Sequence, residues 1–396
     1  MLSEIPGDLG EVFWRSVRNV LLSADAPEEA RSRLFHPVND GVRDRYAGAI
    51  LSAPDLASTL RVLASVQEGG AVSEALVARA CHHVYAWADA RAFPATATLF
   101  AEAAAYVSRD DPTLAIDAGW SCRRSGGMEM LDRSGVWYQR AFRLAVRARD
   151  RKEVIRALNG YGALMQDLGR YEEAHASYTQ AARRARRNRR YRQLAVSHHY
   201  LLGLAVEVGS VEDAAEHARR ALDMYPRHDE RLPYLAHDLA FLLIQKCYYR
   251  PALRLLERAA QRMERPYELG LLFGTTARAA AGSGRIERFL RAERAALELV
   301  QRREDFAAGS LVHLAEGARL LGDWNRAERY AVSALTIARR RHEYDLEKVA
   351  AELVDVIARR LPAAPVKSLP PDHPFAMLSE RLAARLRPKR RRERTG

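Results

Sequence analysis

The chain has 396 residues, 48% of them hydrophobic and 29% charged, with a formal net charge of +13. That is apolar enough for a large core and charged enough for an extended exposed surface, which excludes a disordered chain. There is no run of about 18 apolar residues, and Met1 to Gly10 holds two acids and no base, so neither membrane insertion nor a signal peptide is expected.

Residues 1–90 are expected to form an irregular helical region, either a cap or a separate small module. Leu9 to Leu22 is amphipathic through Val12, Phe13, Val17, Val20 and Leu21. A second helix starts at Ser73 and runs through Leu76, Val77, Cys81, Val84, Tyr85 and Trp87. A DNA-reading helix-turn-helix between Asp55 and Trp87 would offer only Arg79, His82 and His83 to bases, with Gln67-Glu68-Gly69-Gly70 near its turn. Further scaffold helices are the simpler expectation. Cys81, Cys122 and Cys247 sit far apart in apolar helical contexts, as buried thiols of a reducing cytosol do. Neither Cys81-His82-His83 nor His198-His199 can converge on one ion, because neighbours on a helix point about 100° apart. No metal site and no cofactor are expected.

From about 91 onward the chain repeats. Leu168-Gly169-Arg-Tyr171-Glu-Glu-Ala174 returns as Gly209-Ser-Val211-Glu-Asp-Ala214 and Cys247-Tyr-Tyr249-Arg-Pro-Ala252. It returns again as Gly284-Arg-Ile286-Glu-Arg-Phe289 and Leu321-Gly322-Asp-Trp324-Asn-Arg-Ala327. The spacing of 37 to 40 residues predicts stacked helix–turn–helix units. In the first unit, Leu158, Tyr161, Met165 and Leu168 form one stripe, Gly169 ends the helix, and Tyr171, Ala174, Tyr178, Ala181 and Ala182 form the next. Gly126-Gly127 with Trp137-Tyr138, and Arg91-Ala-Phe93 with Thr96, suggest two earlier turns of the same kind.

On these residues the chain resembles the tetratricopeptide repeat family, with Leu158, Tyr161, Gly162 and Met165 on first-helix positions and Ala174, Tyr178 and Ala181 on second-helix positions. Pro226 falls where the family has its terminal proline. The period exceeds the family's usual one, and Phe289 and Glu293 depart from its pattern. The resemblance implies an all-α, right-handed superhelical solenoid over 91–360, clearest over 153–340. It also implies a concave groove lined by first helices. Carried over, that groove comprises Arg156, Asn159, Ala163 and Gln166, then Val196, His199, Gly203 and Glu207, then Tyr234, His237, Phe241 and Gln245, then Arg278, Glu316 and Arg319. The family's carboxylate clamp finds partial matches only in Asn159 and Arg278.

Two basic features stand apart. Arg183, Arg184, Arg186, Arg187, Arg189, Arg190 and Arg192 crowd the end of a predicted helix, where they face the negative end of its dipole. They suit an acidic protein partner, nucleic acid, or simply water, in a chain with five lysines among 63 basic residues. Residues 361–396 are expected to be a proline-rich linker and a mobile basic tail, with a short helix over Pro374–Leu386 that has Phe375, Leu378, Leu382 and Leu386 on one side, ending in Lys389-Arg390-Arg391-Arg392-Glu393-Arg394. No P-loop, dinucleotide fingerprint, His-Glu-x-x-His or Cys-x-x-Cys occurs, so no enzymatic activity is expected. The function expected is a scaffold or adaptor of a bacterial cytoplasm that binds a protein or peptide in the groove. The alternative is a nucleic-acid-associated or peptide-sensing regulator acting through the Arg clusters.

Overall fold

A computed structural model describes residues 4–31, 34, 40–68, 72–91, 93–263, 266–302 and 306–386. The regular structure among them is entirely helical, and the chain divides into two compact units, residues 1–164 and 165–396. The sequence placed its divisions near 90 and 361 instead.

The first unit begins with α1 (Asp8–Asp25), the short α2 (Glu28–Arg31), α3 (Asp40–Ser52) and α4 (Ala57–Gln67). It continues with α5 (Glu74–Ala90), α6 (Pro94–Val107), α7 (Pro112–Ser125), α8 (Met128–Arg147) and α9 (Arg151–Asp167), whose last turn belongs to the second unit. Phe13 of α1 is fully buried, edge-on to Trp87 at 5.6 Å and to Phe100 at 5.4 Å. One core therefore runs from α1 through α6, and residue 90 is no boundary. Glu4 caps α6 from a distance, its carboxylate accepting the N–H groups of Ala95 and Thr96 at 2.8 and 2.9 Å. These are donors that a helix start otherwise leaves unpaired. The Asp55–Trp87 region is scaffold: His82 bonds Asp117 and His83 bonds Thr59, leaving Arg79 alone of the three supposed base readers exposed and without a partner among the described residues. Gly69 and Gly70 lie outside the described residues. The three cysteines are free and buried, and burial pushes the Cys81 thiol up to about 12.

The second unit holds α10 (Tyr171–Arg187), α11 (Tyr191–Glu207), α12 (Val211–Met224), α13 (Leu232–Gln245) and α14 (Tyr249–Ala260). Then come α15 (Pro266–Gly282), α16 (Ile286–Arg302), α17 (Ala307–Leu320), α18 (Trp324–Arg341), α19 (Tyr344–Ala358) and α20 (Pro374–Arg385). Successive helices pair as α11–α12, α13–α14, α15–α16 and α17–α18, as α5–α6 and α7–α8 do in the first unit. This is a tetratricopeptide-like helical-repeat fold. The turns fall where the signature put them: Gly169, Gly209, Cys247, Gly284 and Gly322 all have positive φ, from 64° to 79°. Each closes its helix in the same way; at Gly169, the Arg170 N–H returns to the Met165 carbonyl at 2.8 Å. The stripe of α10 is buried as expected, with Ala174, Tyr178 and Ala181 at 0% exposure. Tyr178 stacks on Tyr200 at 5.1 Å.

The C-terminal segment departs from the mobile tail expected of it. The helix α20 packs against α12, α13 and α14, burying Phe375, Leu378, Leu382 and Leu386 in the main core of the second unit. The helices α12 and α13, joined by the longer link 225–231, meet less extensively than their neighbours do, and α20 closes that junction. The Arg385 guanidinium donates to the Leu222 and Tyr225 carbonyls at 2.6 and 3.0 Å, satisfying the end of α12. The run Lys389–Arg394 lies outside the described residues.

Candidate partner-binding face

First helices of successive units lie side by side in the second unit, α11 against α13, α13 against α15, and α15 against α17. The last contact is the closest, because Gly274 sits where a Cβ would come within 2.8 Å of the Ser310 carbonyl. The face these helices build carries a polar seam. It starts at Tyr225, whose hydroxyl lies 3.1 Å from His199 Nδ1, while His199 Nε2 lies 3.0 Å from Asp238. Asp238 also meets His237 Nδ1 at 3.1 Å, and His237 Nε2 reaches the Thr275 hydroxyl at 3.1 Å. Burial works against the charge on Asp238, but the bonds from both imidazoles hold its carboxyl well below the ordinary range.

The seam continues onto α17. His313 is buried, with the Phe241 ring edge-on at 5.4 Å. Burial, reinforced by Arg278 and His237, holds its imidazole far below the ordinary histidine range, so it is neutral at pH 7. Arg278 lies 3.6 Å from Glu316, which also accepts two bonds from Arg319 at 2.6 and 2.9 Å. Arg319 reaches on to the Leu361 carbonyl at 3.2 Å. Two buried nitrogens here, Arg278 Nε and His313 Nδ1, have no hydrogen-bond partner among the described residues. Such groups are costly unless something else satisfies them. At the other end of the face the acids Asp167, Asp345 and Asp238 surround Glu207, whose carboxyl is pushed up to about 7, chiefly by desolvation and then by those charges.

The structure thus brings together six of the residues expected in the groove: His199, His237, Phe241, Arg278, Glu316 and Arg319. Tyr234 flanks them, its hydroxyl bonded to Glu268. Gln166 is used locally, accepting the Tyr178 hydroxyl at 2.9 Å, and Gln245 is exposed. Arg156 is in the first unit, paired with Glu153 at 2.6 Å and Asp117 at 3.4 Å, and Asn159 is buried there at 3% exposure. The sequence missed Asp238, Thr275 and His313. Each stands nine residues before the turn of its own unit, and Asp238 directly follows His237, a residue taken as groove-lining.

In the Arg cluster, Arg183, Arg186, Arg187, Arg189 and Arg190 are exposed without an ion-pair partner among the described residues, and Arg184 is half-buried. Arg192 is bound to Asp229 at 2.6 Å and Glu230 at 2.9 Å. The tempting pair His198-His199 splits as helix geometry requires. His198 turns away to stack on His217 at 5.3 Å.

No model of a known protein family matches the sequence, and no curated protein matches it. Among solved structures, the chain is similar to the Rap conjugation gene regulator of plasmid pLS20 in complex with the Phr* peptide. The identity is 14%, the match covers 88% of this chain and 98% of that one, and the TM-score is 0.48. It is also similar to a tetratricopeptide repeat protein from Parabacteroides merdae, at 16% identity over 71% and 98% of the two chains, with a TM-score of 0.42. A third, aspartyl phosphate phosphatase F from Bacillus subtilis, gives 12% identity over 92% and 95%, with a TM-score of 0.41. Likenesses at this level bear on nothing beyond the helical fold.

Proposed function

We propose that the chain is a non-enzymatic interaction scaffold that binds a peptide or helical segment of a protein along α11, α13, α15 and α17. The observation that carries this is the pair of unpartnered buried nitrogens, Arg278 Nε and His313 Nδ1, beside the aromatic Phe241. A ligand that lays polar groups along the seam and an apolar side chain against Phe241 satisfies both. Aromatic and Arg anchors of this kind supply most of the affinity of protein interfaces.

Selection of peptides from a random library on the full chain, followed by titration of the winners, tests the proposal. Phe241→Ala with Arg278→Gln is expected to weaken the selected peptides at least tenfold. Arg186→Glu with Arg187→Glu is expected to leave them within about twofold at physiological salt. The five exposed and unpaired arginines at the end of α10 favour the second reading, association with nucleic acid. That reading predicts the opposite ranking of the two variants, with log-linear loss of duplex binding as salt rises.

A further inference from the structure

Away from the polar seam, α14 and the C-terminal strap flank a half-open cavity of about 600 Å³. The strap is pinned at Lys367, whose backbone N–H donates to the Cys247 carbonyl at 3.0 Å, and α20 closes the other side. Helical spacing puts Arg250, Arg254 and Arg258 on one side of α14, and all three line the cavity together with Lys367. Arg258 is committed, donating to the Ala383 carbonyl at 3.0 Å. Arg250, Arg254 and Lys367 are exposed and form no ion pair among the described residues, and the one acid in the lining is Glu380. The floor between them is apolar, from Leu255 and Leu369.

A separate observation points to a ligand. Ser379 lines the same cavity at 6% exposure, and its buried hydroxyl has no hydrogen-bond partner among the described residues. A hydroxyl in that state is a cost to the free protein, and an acceptor entering the cavity offsets it.

We propose that this cavity binds a small organic anion, with a phosphoryl or carboxyl head on Arg250, Arg254 and Lys367 and a short apolar body over Leu255 and Leu369. The Ser379 hydroxyl donates to the head. The volume matches that of small-molecule sites, and guanidinium groups hold such heads through paired N–H bonds. The site is independent of the peptide-binding face and stands or falls separately from it.

Calorimetric titration of the full chain with hexyl phosphate, heptanoate, inorganic phosphate and hexanol tests this. Hexyl phosphate or heptanoate is expected to saturate a single site, and the tighter of the two identifies the head group. Inorganic phosphate should bind more weakly and hexanol not at all. Arg250→Gln with Arg254→Gln should weaken the better ligand at least tenfold, while Arg186→Gln with Arg187→Gln, an equal loss of charge elsewhere, leaves it unchanged. Ser379→Ala should weaken it several-fold and yet melt no lower than the parent, since the hydroxyl it removes has no partner among the described residues. The proposal is overturned if neither anion saturates, if hexanol binds as well as they do, or if both arginine pairs reduce binding equally.

Discussion

The docking of α20 has a measurable consequence in Leu382→Ala. Leu382 is 0% exposed, in a core shared with Leu378, Phe375 and Leu386, and α12, α13 and α14 close around that face. Truncating a fully buried leucine costs roughly 2–5 kcal/mol, from lost transfer energy and the cavity left behind. For a unit of this size that lowers the melting temperature by roughly 4–20 °C. The charged contact on the same helix, Arg381 with Asp223, is half-exposed, and surface pairs contribute under about 1 kcal/mol. The apolar face therefore decides the docking, and Arg381→Gln should barely shift the melt. Calorimetry on both variants, with trypsin digestion followed at residues 361–371, reads the result. Leu382→Ala should melt well below the parent and become cleavable in the strap. If it melts within about a degree of the parent, and truncation after Arg360 also leaves the melt unchanged, α20 does not hold the junction and the tail is mobile after all.

Three further outcomes follow from the packing. Gly282→Ala would set a Cβ 2.3 Å from the buried Tyr249 ring, so it should cost roughly 1–3 kcal/mol, a cost that disappears when the change is made in a Tyr249→Ala background; chemical denaturation checks this. Ala174→Phe, at a position of 0% exposure, should cost a similar roughly 1–3 kcal/mol, and a coincident melt would refute the repeat register. Burial, with His217 and Arg220 nearby, pulls His198 down to about 4, whereas an unfolded histidine titrates near 6.5. As pH falls below that value the unfolded chain takes up a proton the fold refuses, so His198 makes the protein about 2 kcal/mol less stable at pH 5 than at pH 7. Glu207, with its carboxyl raised by desolvation, works the other way over the same range, so the test compares the slopes of parent and variant rather than the absolute stability. His198→Asn should flatten the slope of stability between pH 5 and 7, and an unchanged slope would refute the assignment.

The turns inside units were legible because glycine marks them: a left-handed C-cap excludes most side chains, and four of the five signature turns carry Gly. The turns between units were not. Arg149, Arg189 and His342 adopt φ of 55°, 53° and 56° with ordinary side chains, held by the same returning hydrogen bonds, such as Arg190 N–H to the Ala185 carbonyl at 2.9 Å. Arg189 is thus both a member of the Arg cluster and the pivot of a turn. The docking of α20 was hidden for another reason. Phe375, Leu378, Leu382 and Leu386 formed a visible apolar stripe, but nothing local shows that a junction far back in the chain, between α12 and α13, meets less extensively and accepts it.

The sequence put His199 and His237 on the face that carries the seam, put Arg156, Asn159, Gln166 and Gln245 there as well, and passed over Asp238, Thr275 and His313; helix geometry explains why neighbours were passed over. A face shared by neighbouring helices is wider than one position per turn, since successive residues are rotated by about 100° and two adjacent ones can flank the same seam. The resemblance supplied the position ten residues before the turn in three units, which gave Asn159, His199 and His237. The position nine before supplies Tyr200, Asp238, Thr275 and His313 in successive units, and three of these carry the seam. A polar residue recurring there in helices otherwise built of Leu and Ala is itself a signal, because burying it is costly unless a partner across the face satisfies it. Asp238 has two such partners, His199 and His237. The nitrogen of His313 has none among the described residues, which marks it as the one open position in the series.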